Sequence, residues 1–441
     1  MTAKTLLIFC DGTGMDGSLS QFNPIAQAIG GEVETVFENS AVGGGENPQL
    51  PTNVVRLSRS VKSHTADGRR QIVFYQSGVG SEANFKGDPV RGTTVLQALG
   101  TAVASKIRDA YAFIAQNYQE GDEICIFGWP FRGAYTARKL AGLIDLIGLL
   151  TRDNLGKFFL IWRQLVDKET PTIPDGTRRP KIKCVGVWDT VGSVYNTIDA
   201  LEIKDTSLPK SVEIALHAVS LQENRQKFLP TLWTVPQGGL AHNQVLKQFW
   251  FPGAHSDVGG GYLRRELQDI ALFWMAGEIT SFIELDLVYL RSTRQPNPEP
   301  WGTSQPHNAY IDSSYAERMA VGHETRLESG QITRTPTFHQ SLNFSPQALK
   351  SPDYMTTTSL IQQSFGPTFG PNYPGLNFFE AFCMANWNKE PVLGDPEPPI
   401  FENPGDIIRS PVYWVRGLII LFFSHSWDVD TSHVRLLVSG A

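Results

Sequence analysis

Apolar residues in this chain gather in short continuous runs, each halted by a polar or glycine-rich turn and separated from the next by helical spacing. Leu6-Leu7-Ile8-Phe9-Cys10 stops at Asp11-Gly12-Thr13-Gly14, which predicts a strand over 5–10 entering a tight loop. The pattern predicts a short helix over 53–61 and a second strand over 71–75. Val103, Ile107, Ala110, Tyr111 and Ile114 recur at helical spacing within 103–117. A buried strand over 123–127 precedes a helix over 134–147, and a further strand covers 183–189. The segment 209–221 is expected to be helical, 245–251 a strand, and 266–285 a long helix. Runs without alternation suit strands buried on both sides, so the expected fold is α/β: a mostly parallel sheet with helices on both faces.

The character changes near Arg291. Stretches 295–305, 366–374 and 395–404 are rich in Pro, Gly and Asn, and periodicity weakens. Residues 1–290 are therefore expected to form the main domain, with 291–441 a less regular C-terminal region packed on it. The aromatic residues Phe378, Phe379, Phe382, Trp387, Trp414, Phe422 and Phe423 are expected to serve as core.

Composition narrows the function. A net charge of -6 gives no basic footprint for nucleic acid. Cys10, Cys125, Cys184 and Cys383 show no metal spacing and no C-x-x-C pair, and they read as buried free thiols. The apolar run before Asp11 is too short for a signal segment, and 417–423 is too short to span a membrane. A cytoplasmic protein without a transmembrane segment is the expectation.

The polar residues that follow the strands mark the expected site, because ligands of open α/β sheets bind at the carboxyl ends of the strands. Asp11, Gly12 and Thr13 follow the first strand, where glycine permits close backbone approach and amides could face an oxyanion. Asp189 follows another strand, as the acid that orients an imidazole would. His255, Ser256 and Asp257 precede Gly259-Gly260-Gly261, with His255 the candidate base and Asp257 a second acid or a helix cap. Phe127 to Arg138 has the strand-turn-helix frame of a nucleophile elbow, G-x-S-x-G. Counting back from Gly133, Phe131 stands at the serine position and Trp129 at the first glycine.

With these segments, and with Glu223, Arg225 and Pro230-Thr231-Leu232-Trp233, the chain resembles a known family. It is the alpha/beta-hydrolase domain family shared by type VI secretion phospholipase effectors (the Tle-like catalytic domain) and many uncharacterised fungal and bacterial proteins. The resemblance threads from residue 5 to about 280 and implies an alpha/beta-hydrolase-like fold. It also implies hydrolysis of ester or phospholipid acyl bonds in an ester or lipid-like small molecule, without a cofactor. Asp189 and His255 carry over as triad acid and base, and the Arg132 and Gly12 amides as oxyanion donors. The family elbow reads G-F-S-R-G-A-[YF]-T-A-R. This chain keeps Arg132 to Arg138 but has Trp129-Pro130-Phe131 where the family has Phe-Ser, one residue longer.

Four readings of the missing nucleophile stand open. The protein binds without turnover; the written sequence carries a gene-model or splicing error in an active hydrolase; or another hydroxyl, Ser193 or Ser256, acts instead. The fourth is a carboxylate-rich metal site of Asp11, Asp189, His255 and Asp257, which would suit phosphoester hydrolysis.

Overall fold

The computed structural model describes residues 3–12, 50–78, 95–129, 132–192 and 206–389. Thr13, Gly14, Pro130, Phe131, Ser193, Trp414, Phe422, Phe423 and the segments 395–404 and 417–423 lie outside the described residues. Six strands, β1 (Lys4–Asp11), β2 (Arg70–Gln76), β3 (Glu123–Trp129), β4 (Ile182–Trp188), β5 (Val212–Ser220) and β6 (Val245–Phe251), form one sheet in the order β2-β1-β3-β4-β5-β6. Every neighbouring pair is parallel. The order reverses between β1 and β3, so the switch point of this α/β fold lies where Asp11 pairs in register with Trp129.

Successive strand residues face opposite sides of a sheet, and here both sides are packed. Leu6, Ile8, Ile124, Ile126, Val185 and Val187 share one cluster with the helices α2 (Val95–Asn117) and α3 (Arg132–Ile147). Leu7, Phe9, Cys125, Phe127 and Cys184 point the other way. They meet α1 (Asn53–Ser60), α6 (Glu266–Ile279) and the helix Phe378–Ala385; α4 (Phe158–Val166) precedes β4 and the short α5 (His255–Gly259) follows β6. All residues of α6 are buried, sandwiched between the sheet and the helix Phe378–Ala385. Asn377 caps that helix and donates its amide to the Trp274 carbonyl at 3.0 Å. Phe379, Phe382 and Trp387 are core, as expected. The four cysteines are free and buried, although Cys125 and Cys184 are register partners, and burial pushes the Cys10 thiol up to about 12.

Two expectations need correction. The segment 209–221 contains no helix: it holds β5, a central strand buried along nearly its whole length. A strand without an exposed face loses the two-residue alternation that would distinguish it from a buried helix. The helix expected over 266–285 ends at Ile279, because the chain must turn there to pair 284–286 with 60–62. The other strands and helices agree with expectation to within a few residues, except that α2 starts earlier, at Val95.

Residues beyond 291 seal the far edge of the sheet. The Trp250 N–H donates to Thr337 and the Trp250 carbonyl accepts from His339, so a short segment runs alongside β6. Such cover pairs backbone groups at one end of β6, where an edge strand would otherwise leave them open. Val219, Leu221 and Trp250 pack there against Ile332, Phe338, Leu342 and Ile361.

Candidate active site

The turn between β3 and α3 is built around two glycines. A Cβ on Gly128 would collide with the Gly133 carbonyl, and a Cβ on Gly133 would collide with the Cys10 carbonyl. These are the crowding points of a strand-to-helix elbow, where helix and neighbouring strand approach backbone to backbone. Counting back from Gly133 therefore misplaces the first glycine. Gly128 fills that role, and Trp129 is the residue after it. Four residues rather than three separate the two glycines in the sequence. The Arg132 N–H belongs to the first turn of α3, among the backbone donors that a helix leaves without internal partners.

Trp129 is fully buried at its position. Its indole stacks on the His255 ring at 5.3 Å between centroids and lies directly against Gly259, where any Cβ would strike it. The glycine run after His255 thus makes room for an aromatic side chain from the elbow.

His255 and Asp189 meet as expected. Asp189 follows β4 with φ at 33°, a left-handed conformation that a non-glycine residue adopts at a cost. Its Oδ2 accepts from His255 Nδ1 at 2.7 Å and its Oδ1 from the Ser220 N–H at 3.0 Å. Both side chains are shut off from solvent. Binding Nδ1 to the carboxylate fixes the tautomer and leaves Nε2 as the nitrogen able to exchange a proton. Burial alone would push the Asp189 carboxyl up. The Arg326 guanidinium, the His255 ring and the Ser220 amide outweigh burial and hold it well below the usual carboxylate range.

Two further contacts fix His255. Its backbone N–H donates to Glu223 Oε2 at 3.1 Å, and Glu223 is held by Arg225 through two bonds of 2.8 and 2.9 Å. Phe228 and the imidazole meet in a T-shaped pair at 5.6 Å between centroids, with the Arg225 guanidinium over the Phe228 ring. His217, on β5, is a bystander: its Nε2 accepts from the Thr190 N–H, and burial, then Arg138, pushes it down to about 3.

The remaining expected residues occupy separate places. Asp11 Oδ2 accepts from the Thr52 and Tyr75 hydroxyls at 2.8 and 2.7 Å. The Gly12 N–H donates to Asp11 Oδ1 at 2.9 Å, a bond that competes with any oxyanion for that amide. Ser256 follows His255 within α5, so its side chain leaves the helix about 100° around from the imidazole. Asp257 pairs with His307 Nδ1 at 2.6 Å, not with His255. Among the described residues no three His, Cys, Asp or Glu side chains are gathered to hold a metal, and Asp11, Asp189 and Asp257 each bind different partners.

Sequence reasoning missed Arg326 and His307. Both lie beyond 291, where nothing in the spacing of apolar residues marks them. Arg326 has no exposure to solvent, and its Nη2 donates to Asp189 Oδ2 at 3.0 Å.

Comparison with known proteins assigns the chain. The uncharacterised protein YEL023C of Saccharomyces cerevisiae is 30% identical over 251 residues, 51% of this chain and 35% of that protein. The chain thus spans about a third of that relative's length. The solved structure of the Tle1 effector bound to the VgrG spike from the type VI secretion system matches 59% of this chain and 51% of its own. The likeness there is 19% identity with a TM-score of 0.34. Among the described residues no helix is long and apolar enough to cross a membrane. The family model of the type VI secretion Tle1-like phospholipase effector catalytic domain matches residues 4–278, a span that holds all six strands together with Asp189 and His255, and the chain belongs to that family.

Proposed function

We propose that Asp189 and His255 are the acid and base of an acyl-ester-cleaving site. In the chain as written, that site binds an ester-bearing lipid without efficient turnover. The observation that carries this reading is the buried 2.7 Å bond between His255 Nδ1 and Asp189 Oδ2, at the carboxyl edge of the sheet beside the elbow.

In a complete site of this type, a serine hydroxyl attacks the acyl carbon while His255 Nε2 takes its proton. Asp189 stabilises the imidazolium that forms, and His255 then returns the proton to the departing alcohol. The Arg132 amide at the start of α3 is suited to meet the oxyanion. Phe131 offers no nucleophilic atom. Catalysis then falls to what binding and oxyanion contacts supply, about 10³-fold to 10⁴-fold over water in a serine protease stripped of its triad. Retention of Gly128, of Gly133 and of Arg132 to Arg138 supports a local loss inside an otherwise complete elbow.

Fluorophosphonate labelling with peptide mapping tests the reading. The protein as written should remain unlabelled. A version with Phe-Ser in place of Trp129-Pro130-Phe131 should label at the new serine, and His255→Ala in that version should slow the labelling by orders of magnitude. An adduct on the protein as written would sink the proposal and name a different nucleophile.

A further inference from the structure

We propose that Arg326 is a positioning residue for Asp189: its guanidinium fixes the carboxylate and supplies the cation that lets it stay ionised in a closed interior. This inference rests on the reading of Asp189 and His255 as an acid–base pair. It extends the machinery of the site past the family-matched segment, which ends at residue 278.

The geometry is that of a clamp. Arg326 Nη2 donates to Asp189 Oδ2 at 3.0 Å and to Ser220 Oγ at 3.1 Å, while Nη1 donates to the Phe228 carbonyl. One side chain therefore touches the acid, the end of β5, and the residue whose ring closes over the base. Arg326 and Asp189 are both inaccessible to solvent. Water cannot stabilise the carboxylate there, so a fixed charge and hydrogen bonds must do so. Oδ2 receives Arg326 and His255 together, at 3.0 and 2.7 Å. The two donor nitrogens thus stand within about 6 Å of each other, close enough for each to influence the carboxylate strongly.

The other charges nearby do not substitute for it. Glu223 and Arg225, from the 222–228 loop, neutralise each other through their two bonds. His217, on β5, is held neutral by burial. Asp257, on α5, is spent on His307. Among these groups Arg326 is the permanent cation bonded to Asp189.

The test uses the protein as written and so does not depend on turnover. The hydrogen-bonded Nδ1 proton of His255 gives a low-field resonance in proton NMR. It should persist into acid for as long as Asp189 remains ionised. Arg326→Gln should lose it at a pH about one unit higher, the change expected when a neighbouring opposite charge is removed. Arg326→Lys, which restores the charge, should keep it. In the unmutated protein the Arg326 guanidinium resonances should shift in step with its loss on acidification, a readout that needs no variant to fold. An acid limit unchanged in folded Arg326→Gln, failure of Arg326→Lys to retain the signal, or guanidinium resonances indifferent to it would overturn the clamp alone. A missing low-field proton in the unmutated protein would remove the acid–base pair itself, and the clamp with it.

Discussion

The short helix α5 carries one member of each of two buried histidine–carboxylate pairs, and distance alone does not separate them. His255 meets Asp189 at 2.7 Å; two residues on, Asp257 meets His307 at 2.6 Å. Their surroundings differ. Asp257 also accepts the Ala254 and His307 N–H groups, so its carboxylate ties the start of α5 to the segment around His307, whose ring stacks on Tyr262. Asp189 is bonded to a buried cation, and its histidine lies against the elbow through Trp129. A histidine–carboxylate contact is thus not a site by itself. What distinguishes the first pair is the elbow packed against its histidine and the cation bonded to its carboxylate.

The comparison breaks most sharply in the serine-restored version. His255→Ala there should slow fluorophosphonate labelling about 10⁴-fold, as loss of a triad member does, and His307→Ala should leave the rate of the folded fraction nearly unchanged. Equal losses in the two variants, read by stopped-assay labelling, would erase the distinction. Next in size is Gly128→Ala, whose Cβ meets backbone atoms that cannot swing aside. Overpacking of this kind should cost about 3 kcal/mol in denaturant unfolding.

Asp257→Asn should cost about 2 kcal/mol of stability, the penalty of leaving buried partners imperfectly paired, with no change in the His255 low-field proton. Movement of that proton would show the two pairs to be coupled. At His217 a slope rather than a fixed loss is expected, because its folded-state value of about 3 lies below its unfolded value. Its stabilising contribution is complete above about pH 6.5 and is lost as pH falls towards 3, because the unfolded chain takes up the proton first. Urea titrations of His217→Gln between pH 6.5 and 4 should therefore show a slope shallower by up to about 1.4 kcal/mol per pH unit. Parallel curves for the two proteins would refute that account.

Much of this arrangement was legible in the chain. Asp189 follows a continuous apolar run and His255 lies just after the Phe249-Trp250-Phe251 strand end, and strand ends of an α/β sheet converge on one edge. β5 was not legible, because Ile214 to Ser220 are buried without interruption and show neither period. The elbow was read one residue out of register. Spacing motifs assume a fixed count between glycines, and only the collision of a Gly128 Cβ with Gly133 shows which glycine is required. Arg326 was invisible for a different reason. A buried arginine on an irregular segment leaves no periodic trace, and its partner lies 137 residues earlier.

That contact has a kinetic consequence. Arg326 bonds both Asp189 after β4 and Ser220 at the end of β5, so its contacts need those strands already paired and belong to the late steps of folding. The six strands can pair beforehand, since their connections are shorter and all lie within 4–251. An intermediate with the sheet assembled but 322–330 not yet docked would hold a carboxylate at the end of β4 with no cation beside it. Such a species should open readily there, admitting water around Asp189 until the last segment arrives. Hydrogen exchange during refolding should accordingly find the Ser220 amide protected later than the amides in the middle of β5.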